Sequence, residues 1–235
     1  MKKVIVFDLG GTLMEYEGMP LSWIPYYETG FSQVNHRLNL DLSGEEIQKS
    51  VEILKEYNPR FHPREVEIPP EEIFIHAIKH WHQAVTVKQV IEVFFQGLSL
   101  VPRIYEDTLT GLKQLRKMGY KTACFTNLPS GMPDEIFQKG IPELIDSLDL
   151  YMSSALCGYR KPNRAGLDKI AEKFQVPTNK LLFVGDESID AEAAYNAGCP
   201  FVFMNRGKKP IQRQETASVE TMEELISQGL GREIP

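Results

Sequence analysis

The chain has 235 residues, with 26 basic against 32 acidic side chains and a formal net charge of −6. It is long enough for one domain carrying an insertion, and too acidic for a general binder of nucleic acid or anionic membrane, so small soluble partners are expected. Cys124, Cys157 and Cys199 are odd in number and far apart, which argues against a disulfide scaffold and for a reducing cytoplasm; no segment approaches the length of a membrane span.

The first apolar run, Val4 to Phe7, follows Met1-Lys2-Lys3 but is too short for a secretory leader and meets Asp8 at once, so it reads as a strand. From Met14 to about Leu100 no comparable strand run occurs. Helix punctuation takes its place: Ser43 with Glu46 and Thr86 with Gln89 each fit a capping box. Ile47, Val51 and Leu54 share one helix face, Ile73, Ala77 and Trp81 a second, and Val87, Val90, Ile91 and Phe94 a third. Prolines 59, 63, 69, 70 and 102 mark the joints of this helical insert.

Beyond the insert, a helix is expected from Thr108 to Met118, stopped by Gly119, then a strand over Thr122 to Phe125 and a weaker fifth strand over Leu148 to Met152. A helix from Arg164 to Phe174 and strands at Leu181 to Val184 and Phe201 to Phe203 complete the alternation. The strand runs lack polar alternation, as expected of a parallel sheet covered on both faces. The predicted fold is α/β: a doubly wound Rossmann-like parallel sheet, formed by residues 1–14 and 101–235, with an all-helical cap inserted at 15–100.

In such a sheet ligands bind at the carboxyl ends of the strands. Asp8 ends the first strand, at the glycine-rich turn Asp8-Leu9-Gly10-Gly11-Thr12-Leu13. Thr126 and Asn127 follow another strand, Gly158 to Pro162 with Lys161 follow the Leu148 run, and Gly185-Asp186-Glu187-Ser188-Ile189-Asp190 follows the Leu181 strand. Taken singly, these residues have ordinary explanations as turn, cap or surface groups. Convergent, Asp8, Asp186 and Asp190 supply the hard oxygen ligands that suit Mg²⁺, while Lys161 and Thr126 can hold phosphate oxygens. Neutralised in this way, Asp8 can attack phosphorus and form an aspartyl-phosphate that water hydrolyses.

These four stretches, in this order, resemble the motifs of the haloacid dehalogenase-like hydrolase superfamily over nearly the whole chain. The resemblance implies Asp8 as nucleophile, Thr126 and Lys161 as ligands of the transferred group, and Asp186 with Asp190 as the acidic pair holding Mg²⁺; Asn127, beside Thr126, is expected to bind substrate with them. It also implies that the insert is a type 1 cap, which closes over the site and selects substrates.

Phosphatases of that family carry a second aspartate where this chain has Gly10. The glycine keeps a backbone carbonyl for the metal but removes the acid and base, a function worth about 10²- to 10⁴-fold. Three readings follow. The first is a Mg²⁺-dependent phosphatase acting on a small phosphorylated metabolite, slowed by the change or using Glu15, Tyr16 or Glu187 instead. The second is a haloacid or phosphonate hydrolase, the latter needing a cap lysine such as Lys49, Lys55, Lys79 or Lys88. The third is a non-catalytic regulatory protein that binds metal and phosphate. In the insert, His76, His80 and His82 are expected to be boundary residues of an apolar helix face rather than metal ligands. Trp23, Tyr26 and Tyr27 are expected in the cap core, and the three cysteines as buried small hydrophobes.

Overall fold

The computed structural model describes residues 3–18, 22–207 and 217–230. The chain divides into two compact units, one of residues 1–15, 102–127 and 141–235, the other of 16–101 and 128–140. The second unit therefore takes in residues 128–140, a stretch that the sequence division assigns to the core. Its strands and helices explain why: the ring of Phe74 stands so close to Gly131 that a Cβ there would lie 2.7 Å from it, and Ser130 Oγ donates to the Tyr57 carbonyl at 2.6 Å.

The strands in chain order are β1 (Lys3–Phe7), β2 (Met14–Tyr16), β3 (Pro102–Ile104), β4 (Tyr120–Cys124), β5 (Leu181–Gly185), β6 (Phe201–Met204) and β7 (Ser218–Val219). The principal sheet has the order β4-β1-β5-β6-β7 and each neighbouring pair is parallel. Along β1, Val4 and Val6 join one buried cluster with Phe125, Leu167, Ile170, Phe183 and Ala193. Ile5 and Phe7, which a strand turns to the opposite face, are equally buried. Burial on both faces is what the unbroken apolar runs require.

Among the described residues the α-helices of four residues or more are α1 (Ile24–Leu38), α2 (Gly44–Glu56), α3 (Pro70–Ile78), α4 (Val87–Gly97), α5 (Thr108–Lys117), α6 (Asp134–Gly140), α7 (Pro142–Ser147), α8 (Ser154–Cys157), α9 (Ala165–Phe174) and α10 (Ser188–Ala197). Helices α1 to α4 and α6 belong to the second unit. Both capping boxes are formed, at Ser43 with Glu46 and at Thr86 with Gln89. Helix α1 is an addition to the three faces read from sequence; it buries Tyr27, Gly30, Phe31 and Val34, and Phe31 packs on Phe74, Trp81 and Phe94. Trp81 lies beyond the end of α3 but is buried, its indole N–H donating to Ser50 Oγ at 3.0 Å. His76 shares a 2.8 Å hydrogen bond with the Tyr57 hydroxyl, and His80 Nε2 lies 2.9 Å from the Glu46 carbonyl. Both histidines thus serve the packing of the unit. Among the described residues no helix is long and apolar enough to cross a membrane.

The Leu148–Met152 run is not a ladder strand. It follows β4 through isolated parallel bridges at Ala123 with Leu150 and Thr126 with Ser153, and the fifth strand of the sheet is β7. Asp149 fixes this edge: it accepts from Lys121 Nζ at 2.8 Å and from the Thr122 backbone N–H at 2.9 Å. Burial works against its charge, but these donors prevail and hold its carboxyl below the usual value. Asp149 therefore stabilises the fold above the ordinary carboxylate range, and that contribution is lost as pH falls through its depressed value. Asp149→Asn should lower stability by about 1 kcal/mol at pH 7, with the difference from wild type vanishing in acid. Urea midpoints at several pH values check this.

Candidate active site

Register brings the candidate residues together. Phe7 pairs with Cys124 on one side and Val184 on the other, so the residues just after β1, β4 and β5 emerge along one edge of the sheet. The Phe125 N–H donates to the Phe7 carbonyl at 2.9 Å and the Asp8 N–H to the Val184 carbonyl at 2.8 Å. Parallel pairing thus continues to the first residue of the Asp8 turn.

Lys161 is the centre of the arrangement. Its Nζ lies 2.6 Å from Asp8 Oδ1 and 2.6 Å from Asp190 Oδ1, and all three side chains are buried. Phe125 and Phe183 rings stand 5.8 and 5.7 Å from the same ammonium. Burial opposes the lysine's charge, but Asp190 and Asp8 more than offset it and raise its pKa. The backbone that carries it is clamped by Asn127, whose Oδ1 accepts the Lys161 N–H at 2.8 Å and whose Nδ2 donates to the Lys161 carbonyl at 3.2 Å. Asn127 therefore ties the loop after β4 to the lysine loop. Thr126 beside it is buried, its N–H donating to the Met152 carbonyl at 3.1 Å.

One oxygen from each of Asp8, Asp186 and Asp190 falls within 4.8 Å of the others. Such a set of hard donors fits Mg²⁺, which takes one or two protein carboxylates and keeps several waters. The three are not equivalent. Asp190 uses Oδ1 for Lys161, and its Oδ2 accepts the N–H groups of Asp186 and Glu187 at 3.1 and 3.0 Å. Both of its oxygens are engaged by protein donors. Asp8 engages Oδ1 alone with Lys161, and Asp186 is half-buried and accepts from the Thr12 hydroxyl at 3.3 Å.

Two glycines make this packing feasible. A Cβ at Gly185 would lie 2.5 Å from Asp190 Oδ2, and one at Gly11, where φ is +81°, would lie 2.3 Å from Asp186 Oδ2. Gly10 is different: its φ lies outside the left-handed region, it is exposed, and a Cβ there would meet nothing within 4 Å. Neither backbone shape nor space requires a glycine at that position.

Burial is the main influence on Asp8 and raises its carboxyl from 3.8 to about 7; Lys161 opposes the rise, while Asp190 and Glu187 add to it. Of the groups named as replacement acids, Glu15 and Glu187 are engaged and Tyr16 is raised by burial. Glu15 takes hydrogen bonds from Arg103 and Tyr105, and chiefly the Arg103 bond holds it below its usual value. Burial pushes the Tyr16 phenol up to about 12. Glu187 caps α10 by accepting the N–H of Asp190.

Removing the Asp190 charge should cost folding energy, because a buried ammonium would lose one of its two carboxylates. Asp190→Asn is expected to destabilise the chain by about 3 kcal/mol. A thermal melt within 1 °C of wild type would contradict that role.

A phosphoglycolate phosphatase of Vibrio vulnificus is 32% identical over 118 residues, which make up 48% of this chain and 49% of that protein. A phosphoglycolate phosphatase of Thiobacillus denitrificans is 31% identical over 133 residues, 55% of this chain and 58% of that protein. The chain thus spans about half the length of these curated relatives. Among solved structures, a HAD phosphatase from Thermococcus onnurineus superposes with a TM-score of 0.65 at 21% identity, covering 98% of both chains. A 2-haloacid dehalogenase from Pseudomonas syringae gives 0.68 at 18% identity, covering 96% of this chain and 97% of that one. These two likenesses establish the fold. The sequence pattern of the haloacid dehalogenase-like hydrolases matches residues 2–198, and with that match over most of its length the chain belongs to the haloacid dehalogenase-like hydrolase family.

Proposed function

We propose that the chain is a Mg²⁺-dependent phosphohydrolase acting on a small phosphorylated metabolite, with Asp8 as nucleophile. The observation that carries this is the buried Asp8–Lys161–Asp190 cluster with Asp186 beside it. Asp8 and Asp186, joined by the Gly10 carbonyl, would hold the ion, which when bound neutralises phosphate charge and favours the ionised form of Asp8. Asp190 takes a positioning part, since its oxygens already hold Lys161 and the Asp186 loop.

In this mechanism Lys161 and Thr126 bind the non-bridging phosphate oxygens, and Asn127 keeps Lys161 in place. A carboxylate oxygen of Asp8 attacks phosphorus in line with the ester oxygen, forming the aspartyl-phosphate as the ester P–O bond breaks. The leaving alkoxide takes its proton from solvent, as Gly10 offers none. Water then cleaves the aspartyl-phosphate, releasing inorganic phosphate and regenerating Asp8. Substrates whose leaving groups need no proton are favoured.

Support for a phosphate ester comes from the named activity of the Vibrio and Thiobacillus relatives. The helical insert between about residues 15 and 100 would be the cap that selects the substrate. Three buried cysteines that form no disulfide support a reducing, cytoplasmic setting.

Gly10 also favours a second reading, a haloacid or phosphonate hydrolase. Against the phosphonate form, Lys49, Lys79 and Lys88 are exposed and Lys55 is paired with Glu52 at 2.8 Å, whereas a Schiff-base lysine needs a desolvated setting. Against the haloacid form, a metal-independent reaction has no use for the acidic set of Asp8 and Asp186. The deciding experiment is a screen of phosphorylated metabolites, phosphoglycolate included, with haloacids and phosphonates, each with Mg²⁺ and with EDTA. Release of phosphate from a phosphate ester only with Mg²⁺ supports the phosphohydrolase; halide release in EDTA, or phosphate released from a phosphonate but from no phosphate ester, overturns it.

A further inference from the structure

One largely buried cation of the core unit has no part in the chemistry above. Arg206 lies just past β6, outside every motif, with its side chain 11% exposed. Its Nε donates to the Thr12 carbonyl at 2.6 Å, and its Nη1 pairs with the Asp107 carboxylate at 2.9 Å. The guanidinium also lies 4.3 Å from the centre of the Tyr105 ring. Asp107 is itself fixed, since its Oδ2 accepts the Met222 N–H at 2.8 Å. Arg206 therefore reaches the Asp8 turn from an anchored base.

What it grips is the Thr12 carbonyl, in a turn whose neighbouring carbonyls have other partners. The Leu13 carbonyl already accepts from the Tyr105 N–H at 3.1 Å and the Thr108 hydroxyl at 2.9 Å. The Leu9 carbonyl, adjoining Asp8, accepts the N–H groups of Thr12, Leu13 and Met14 at 3.2, 2.9 and 3.0 Å. Thr12 is fully buried, and its hydroxyl donates to Asp186 Oδ1. A displacement of Thr12 is thus passed to both carboxylates, to Asp8 through the Leu9 carbonyl and to Asp186 through the hydroxyl.

We infer that Arg206 is a positioning residue: by clamping the Thr12 carbonyl against Asp107 and Tyr105 it fixes the turn carrying Asp8 and steadies Asp186. The turn-ordering part stands on geometry alone, while its kinetic consequence rests on the phosphohydrolase reading. Arginine suits the task because its planar fork donates to two acceptors while a face stacks on an aromatic ring, whereas lysine offers a point charge opposite Asp107 with neither the fixed fork nor the stacking face.

The test uses the full chain with Arg206→Lys and Arg206→Met, and two measurements. Amide hydrogen exchange over residues 9–14 should quicken by about tenfold or more in both variants while β5 and β6 keep their wild-type rates. With p-nitrophenyl phosphate and saturating Mg²⁺, kcat should fall by about 10²-fold with KM within about threefold, the signature of misplaced groups rather than lost substrate binding. Arg206→Lys retains the charge opposite Asp107, so it keeps the test open if Arg206→Met does not fold. Wild-type exchange at 9–14 in the lysine variant overturns the proposal. So does acceleration spread evenly through the sheet, which would make Arg206 a general stabiliser, or a loss confined to KM. If wild type itself hydrolyses no phosphate ester, the phosphohydrolase reading fails, and the exchange data still decide the role of Arg206.

Discussion

Asp8→Asn should abolish the proposed Mg²⁺-dependent phosphate release, with kcat expected to fall by about 10⁴-fold or more, because an amide at this position cannot form the acyl phosphate on which the proposed route depends. The substitution is nearly isosteric, and because burial already disfavours the Asp8 charge, raising its carboxyl to about 7, its removal should cost the fold less than removal of the Asp190 charge, leaving the loss of turnover chemical rather than structural. A stability measurement makes that distinction. Burial raises the Asp8 carboxyl from 3.8 to about 7 in the metal-free protein. In the unfolded chain the group ionises near 3.8, so the stability gained from its protonated form in the fold is lost as pH rises from about 4 through about 7. Asparagine does not titrate. In EDTA the melting temperature of wild type should therefore fall relative to Asp8→Asn across that interval. Phosphate release that survives the substitution would remove Asp8 from the reaction, and a collapsed melting profile would assign the loss to unfolding.

The strands β1, β4, β5 and β6 were legible because a strand buried on both faces leaves an unbroken apolar run, and few other arrangements do. Once they were placed, the edge of the sheet followed, and with it the meeting of Asp8, Lys161, Asp186 and Asp190. The parts of the site that sequence reasoning did not reach depend on distances that no local pattern records. Asn127 was named for the substrate, yet its amide is spent on the backbone of Lys161. Asp190 was named beside Asp186 as an equal, but only the geometry shows that both of its oxygens are taken. Arg206 gave no signal at all, since its partners Thr12 and Asp107 are 194 and 99 residues away.

The same distinction explains the misread elements. Leu148 to Met152 carries strand-forming residues, but it meets only the edge of β4 and forms bridges rather than a ladder. Ser218 and Val219 make a strand too short to stand out as a run. Helix α1 was missed because its buried face, at Tyr27, Gly30, Phe31 and Val34, includes a glycine that breaks the apolar count; that glycine is there because the Phe94 ring occupies the space a Cβ would need.

Gly10→Asp is the substitution expected to add function. At Gly11 and Gly185 a side chain would collide with the carboxylates of Asp186 and Asp190, whereas at Gly10 a Cβ enters open space from an unstrained backbone. The loop should therefore accept aspartate without distorting Asp8. Placed two residues from the nucleophile, the new carboxyl can protonate a leaving alkoxide and then take a proton from the attacking water. Turnover of alkyl phosphates should rise by about 10²- to 10⁴-fold, the usual contribution of positioned acid and base groups. The gain for p-nitrophenyl phosphate should be much smaller, because its phenolate leaves without help. Gly10→Asn fills the same space without an ionisable proton and should give no gain, which separates proton transfer from a change in loop stiffness. The comparison needs kcat/KM for an alkyl phosphate and for p-nitrophenyl phosphate in all three proteins, with Mg²⁺ saturating. A folded Gly10→Asp protein that accelerates neither substrate would mean that another group already supplies the proton, or that phosphate transfer is not the reaction. An equal gain from asparagine would place the effect in the loop. A selective gain for alkyl phosphates would show that this active site differs from a faster phosphatase by one carboxylate that its fold has room to hold.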